Sequence, residues 1–261
     1  MKNSIITNLV LIFTLISSAE AQEQLVKLRA DEWCPYNCVP GSKKPGFMVE
    51  IAQRSFQISD KNKYKIDYQT LNWARSLEYV KAGKIEGVIG AIESEAKGLT
   101  IPKVSLGQFK PVFIVNSKTK WRFSNMSELE KNKYMIGLIK DYDYDDKIVS
   151  FMKKFPNRIE YTHGDTPLRQ LISMLKHGRV QIIVEDEAVF NHMVKQLGED
   201  TKQFTVAGPV SVPKPLFIAF STSDKNKSEQ FAKILTSGMK KLRDTGELDK
   251  ILGKYGLTDW K

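Results

Sequence analysis

Two stretches of this chain carry the same plan, and that echo limits the folds open to it. In LNWARSLEYVKAGKIEGVIGA, Asn72 can cap a helix that gathers Trp73, Leu77 and Val80 on one face. Gly83 stops that helix, and Gly87 to Ala91 reads as a buried strand. In DTPLRQLISMLKHGRVQIIVED, Thr166 can cap, Pro167 suits the first helical position, and Leu168, Leu171, Ile172 and Leu175 form the apolar face. Gly178 then stops the helix, and Val180 to Val184 reads as a strand. A unit of helix, glycine, basic residue, aliphatic residue and strand that occurs twice suggests two similar α/β lobes rather than one large sheet, although α/β chains also produce such echoes by chance.

The remaining segments fit that division. Leu28 onward is an apolar run that gives way to a loop carrying Trp33, Cys34, Tyr36 and Cys38, then to Gly46-Phe47 and a helix marked by Met48, Ile51, Ala52 and Phe56. Tyr64 to Tyr68 alternates as a strand, so the chain opens β-α-β. Two extended runs with prolines, Phe109 to Lys120 and Pro209 to Lys225, read as crossings between lobes. Between them come a strand at Tyr134 to Ile139, a helix from about Asp146 to Phe155 and a strand at Arg158 to Tyr161; Glu229 to Leu242 and Glu247 to Tyr255 are helices that close the chain. The expected division is a leader at 1–21, a discontinuous first lobe at 22–113 and 216–261, and a second lobe at 114–215.

The leader follows from Lys2, the apolar run Ile5 to Ile16 and the small-residue pattern Ala19-Glu20-Ala21, which together predict export with a mature start at Gln22. No cysteine follows that site and no later run approaches the ~20 apolar residues of a bilayer span, so a soluble exported protein is expected. In an oxidising compartment the only two cysteines, Cys34 and Cys38, are expected to form a disulfide. His163, His177 and His192 are scattered, so no metal set assembles, and no cofactor motif is present. The net charge of +10 is spread among acids rather than clustered, which argues for a solvated basic surface and against a nucleic-acid partner.

In open α/β sheets, ligands meet the loops at the carboxyl ends of strands. That rule puts Trp33 and Tyr36, Trp73 and Arg75, and Asp186 at one cleft, with His163 and Asp165 in a loop at the same edge; Tyr142 and Asp143, in the loop Lys140 to Asp146, are ligand candidates whose alternative is an exposed loop. Each has a bland alternative: Trp33, Tyr36 and Trp73 as core aromatics, Arg75 as half of an ion pair, and the Glu185-Asp186-Glu187 run as a solvated helix start.

Four motifs in this order resemble the extracellular solute-binding proteins of family 3, the polar amino acid type that serves bacterial ABC importers. They are Pro45-Gly46-Phe47-Met48-Val49-Glu50-Ile51; Trp73 with Gly83-Lys84-Ile85-Glu86-Gly87; Gly178-Arg179-Val180 with Glu185-Asp186; and Leu242 to Leu252 with Lys254-Tyr255-Gly256. The resemblance covers nearly all of the mature chain. It implies a type II periplasmic binding protein, each lobe a mixed sheet flanked by helices, with a two-strand hinge and a small-molecule ligand between the lobes. It also implies a monomer in the periplasm that delivers to an ABC permease in the inner membrane. At the positions matching the family's Thr-x-x-Arg motif, which meets a ligand carboxylate, stand Ser94 and Lys97; the second-lobe carboxylate matches Asp186, and a turn that often reads Gly-Thr matches Asp141-Tyr142. Lysine lacks the planar fork of arginine, and Asp141 would repel an anionic head group, so an ordinary α-amino acid is in question. Two other functions stay open: an enzyme resembling the cyclohexadienyl dehydratases, with Glu185 or Asp186 beside Arg75 as the acid, and a receptor that presents its ligand to a sensor.

Overall fold

The structure is a computed structural model that describes residues 23–59, 63–164 and 166–261. The expected leader at 1–21 and the candidate Asp165 lie outside these residues.

The chain opens with β1 (Gln24–Ala30), α1 (Phe47–Ser59), β2 (Tyr64–Thr70), α2 (Trp73–Lys81) and β3 (Gly87–Ala91). Next come the short β4 (Gly107–Phe109), then β5 (Pro111–Asn116), α3 (Met126–Lys131), β6 (Ile136–Ile139) and α4 (Asp146–Lys154). The second half holds β7 (Ile159–Thr162), α5 (Pro167–Lys176), β8 (Ile182–Asp186), α6 (Glu187–Gln196) and β9 (Phe204–Pro209). It closes with β10 (Lys214–Phe220), α7 (Lys225–Asp244) and α8 (Glu247–Gly253).

Two five-stranded sheets result, ordered β2-β1-β3-β10-β4 and β7-β6-β8-β5-β9. In the first, β1 runs parallel to β2 and β3 while β10 is antiparallel to β3 and β4; in the second, β6 runs parallel to β7 and β8 while β5 is antiparallel to β8 and β9. The two echoing sequence units are therefore α2-β3 and α5-β8, and they occupy equivalent places: each strand lies between its lobe's central parallel strand and an antiparallel one. The repeat is a structural one, and the architecture is the two-lobe, mixed-sheet arrangement.

The sheets place the crossings a few residues from the expected boundaries. The chain leaves the first sheet after Phe109 and pairs in the second from Pro111, so residues 111–113 belong with the second lobe. It returns between Pro209 and Lys214. Prolines mark both ends of these crossings but cannot say on which side pairing begins. The second echoing strand likewise starts two residues late, at Ile182, because the turn after α5 consumes Gly178 to Gln181: Arg179 donates back to the Met174 carbonyl and Gln181 to that of Met135. This shift places Glu185 and Asp186 at the strand's carboxyl end.

Helix faces follow their apolar spacing. In α7 the buried set Phe231, Ile234, Leu235, Gly238, Met239 and Leu242 repeats every three or four residues. At Gly238 an added Cβ would lie 2.3 Å from the Cβ of Ser55, so only glycine lets α7 approach α1 this closely.

Candidate functional site

The loop from Asp31 to Gly46 is a closed structure in its own right. The Trp33 amide donates to the Asn37 carbonyl (2.9 Å), the Tyr36 amide returns to the Trp33 carbonyl (3.0 Å), and Cys34 and Cys38 are joined by a disulfide with a Cα–Cα distance of 4.5 Å. Asn37, which is buried, donates its side-chain amide to the Asp31 carbonyl. The free N–H groups that begin α1 are then used by this loop: Phe47 donates to the Pro35 carbonyl and Met48 to that of Tyr36, each at 3.0 Å. Gly46 makes the fit possible. Its φ is +109°, and a Cβ there would lie 2.4 Å from the Tyr36 carbonyl oxygen. The loop thus holds Trp33 rigidly and leaves no open helix end for a ligand at this point.

Across from it lies the second lobe, and between the two is a small cavity of about 70 Å³. Asp31 and Trp33 reach it from the end of β1, Trp73 from the start of α2, Ile92 and Glu95 from the turn after β3, and Phe109 from β4. The second lobe supplies Tyr142, Asp143 and Tyr144 from the loop after β6, and Glu185 from β8. These are the carboxyl ends of parallel strands, where an α/β sheet opens to ligands.

Hydrogen bonds join the lobes directly. Trp33 Nε1 donates to Glu185 Oε1 (3.2 Å), the Tyr142 hydroxyl to Asp31 Oδ2 (2.5 Å), and the Ser94 hydroxyl to Asp143 Oδ2 (2.7 Å). Behind the cavity the Tyr36 hydroxyl donates to the Gln108 carbonyl (2.5 Å) and lies 3.1 Å from Asp186 Oδ2. The lobes are therefore closed over the cavity.

The electrostatics are one-sided. Burial raises the carboxyl groups of Asp31 and Glu95 above the usual carboxylate range. Glu185, only 4% exposed, is pushed up to about 8 by burial, against the opposing bond from the Asp186 amide; Asp186 beside it is pushed up to about 6, again by burial. The Tyr142 phenol is raised by burial and by the nearby Asp31. Among the described residues none of these four carboxylates forms a salt bridge.

Of the sequence candidates, the structure brings Trp33, Trp73, Tyr142 and Asp143 together around the cavity, with Ser94 exposed at the rim through its bond to Asp143. The others stand elsewhere. Tyr36 is buried behind Trp33, the two rings stacked at 4.3 Å, so it supports the wall rather than forming it. Asp186 caps α6, accepting from the amides of Ala188 and Val189, and also accepts from Lys110 N; these bonds turn it away from the cavity. Arg75 and Lys97 are exposed and line no part of the cavity, so neither basic candidate reaches it. His163 is exposed as well. Asp141 is exposed with φ +67°, the left-handed conformation that explains why the equivalent turn favours glycine.

Asp31, Glu95, Phe109, Tyr144 and Glu185 also line the cavity, beyond the residues that the sequence points to as ligand contacts. Two signals could have narrowed the choice. Residues two apart on a helix lie about 200° apart, so if Trp73 faces the cavity Arg75 faces away. Neighbours on a strand point to opposite faces, so Glu185 and Asp186 cannot both look into the cleft. No group of residues suited to hold a metal ion occurs among the described residues, and none of their helices is long and apolar enough to cross a membrane.

Residues 27–258 match the model of the family described as bacterial extracellular solute-binding proteins, family 3. A search of curated proteins found no match. Among solved structures the chain is similar to a histidine kinase sensor domain described as similar to periplasmic binding proteins, with 13% identity, a TM-score of 0.72, and 91% of this chain and 99% of that one covered. A structure from work on glutathione import via GshT and the cystine ABC importer TcyBC of Streptococcus mutans has 18% identity and a TM-score of 0.72, covering 90% and 95%. The arginine-, lysine-, histidine-binding protein ArtJ of Geobacillus stearothermophilus has 16% identity and a TM-score of 0.67, covering 89% and 95%. At these identities the likeness is one of fold.

Proposed function

The chain belongs to the bacterial extracellular solute-binding proteins, family 3, and we propose that it captures a small solute between its lobes and delivers it to an ABC permease in the inner membrane. The observation that carries this reading is the cavity whose wall is shared by both lobes, with hydrogen bonds passing directly from one lobe to the other beside it. A solute that touches both lobes binds the closed state better than the open one and so shifts the population toward closure. Its volume favours a compact ligand, since about 70 Å³ of this kind of space holds on the order of five water molecules. In this reading Trp33, Trp73, Tyr142 and Asp143 contact the ligand, while Tyr36 and Asp186 act from behind as supports. The protein works as a monomer in the periplasm after loss of residues 1–21.

Capture rather than catalysis is the reading we favour. A dehydratase-like reaction of the kind considered above needs an acid beside Arg75, and Arg75 is exposed outside the cavity. A receptor for a sensor is the second reading, supported by the likeness to a histidine kinase sensor domain. Native mass spectrometry of gently isolated protein, followed by calorimetry with the released compound, tests capture: a stoichiometric small molecule is expected. Properly folded protein that carries nothing and responds to no member of a broad solute library would refute it. Crosslinking in intact cells separates the two partners, with recovery of a permease expected and recovery of a sensor kinase overturning delivery.

A further inference from the structure

The cavity wall contains four carboxylates, Asp31, Glu95, Asp143 and Glu185, and no lysine, arginine or histidine. Its side-chain donors are largely committed to protein acceptors: Trp33 Nε1 to Glu185, Trp73 Nε1 to Glu95, the Tyr142 hydroxyl to Asp31, the Tyr144 hydroxyl to the Ile139 carbonyl, and one N–H of the Asn37 amide to the Asp31 carbonyl. Its acceptors are not all used. Both hydrogen bonds to the Glu185 carboxylate, from Trp33 and from the Asp186 amide, fall on Oε1, and among the described residues Oε2 receives none. Glu185 is 96% buried and lines the cavity, so this oxygen is an acceptor without a protein partner at the cavity wall.

Such a wall is complementary to a ligand rich in donors and positive charge. A carboxylate entering it would meet Asp31, Glu95 and Asp143 and no cation, with at most a protonated Glu185 to donate to it, and desolvating a charge without an opposite charge is costly. A cation would instead pair with these carboxylates, displacing the proton on Glu185, with Trp33, Trp73, Phe109 and Tyr142 close enough to add the attraction of aromatic rings for ammonium groups. We infer that the cleft takes a small organic cation without a carboxylate group, an amine, quaternary ammonium or guanidinium compound, held by Glu185 and Asp31 within the aromatic wall. This rests on the capture reading and names its ligand class.

Proton balance follows. Without ligand, Glu185 holds a proton at neutral pH, since burial raises it to about 8. The groups that face it are acidic or neutral: Asp186 on its own strand, Asp31 and Trp33 from the first lobe, with Glu95, Asp143, Tyr142 and Tyr144 around the same cavity. A bound cation takes the place of that proton, which leaves to solvent, so binding tightens as pH rises toward about 8, by up to about tenfold per unit for one proton.

Calorimetry with matched pairs differing in a carboxylate tests the inference: choline against glycine betaine, putrescine against ornithine, and agmatine against arginine. At least one carboxylate-free member should bind tenfold or more tightly than its counterpart, weaken toward about pH 6, and lose at least tenfold in affinity in Glu185→Gln. If that variant does not fold, the pH dependence of the wild-type protein and the proton release seen in buffers of different ionisation enthalpy carry the test. Equal or tighter binding of the carboxylate-bearing member, or capture only of a neutral or anionic solute, overturns the inference and leaves solute capture standing. Absence of any bound solute removes both.

Discussion

Replacing Tyr142 by phenylalanine should open the protein without unfolding it. The ring stays in place against its apolar neighbours, and only the hydroxyl is lost, which spans the lobes to Asp31 Oδ2 at 2.5 Å. A hydrogen bond to a charged group contributes about 1.5–3 kcal/mol, and that contribution exists only when the lobes are together. The ratio of closed to open protein should therefore fall by roughly 10- to 150-fold, from 1.36 kcal/mol per factor of ten. Where the open form already dominates, the same factor appears in the ligand affinity, because apparent affinity scales with the competent fraction. Closure can be read by energy transfer between dyes on cysteines introduced at exposed Lys81 and Lys153, one on each lobe. The substitution removes no buried apolar group, so where the open form dominates the thermal midpoint should move by less than about 2 °C. A Tyr142→Phe protein whose closure and affinity stay within about twofold of the wild type would refute the argument.

Gly46→Ala, with its Cβ 2.4 Å from a backbone oxygen and φ +109°, should cost about 3 kcal/mol or more in denaturant unfolding, whereas Gly41→Ala, at φ +73° with nothing within 4 Å, should cost only about 1–2 kcal/mol. Replacing Cys34 and Cys38 with serine removes a cross-link across a very short loop, worth about 2 kcal/mol on chain entropy, so calorimetry should show the midpoint falling by roughly 4–8 °C. Glu185 and Asp186 have raised folded values, so the stability they allow is fully present below about pH 4 and declines as pH rises through about 6 and then 8; denaturation at several pH values should show this decline, flatter in Glu185→Gln. Arg75→Ala and Lys97→Ala should leave ligand affinity within about twofold by calorimetry, since both side chains are exposed outside the cavity.

What the chain determined by itself was everything that depends on short-range spacing. Leu168, Leu171, Ile172 and Leu175 recur at helical intervals, and Asn72 accepts from the Arg75 amide as a cap should, so these helices are encoded within a few residues of themselves. The doubled α/β unit foretold two lobes for the same reason. Segments whose pairing depends on distant partners are less legible: β9 is not marked as a strand by its own spacing, and β8 begins two residues after the start of the apolar run that predicts it. The site lay further from reach. Asp31, Glu95 and Glu185 are far apart in the chain and carry ordinary charged side chains; only strand pairing and closure of the lobes bury them around one cavity. Whether an acid is solvated or enclosed is a property of everything packed around it, not of its neighbours in sequence. For that reason the sequence could direct Trp33 and Tyr142 to a cleft, while the tertiary structure decided that the cleft is acidic and that its expected basic residues, Arg75 and Lys97, stand outside it.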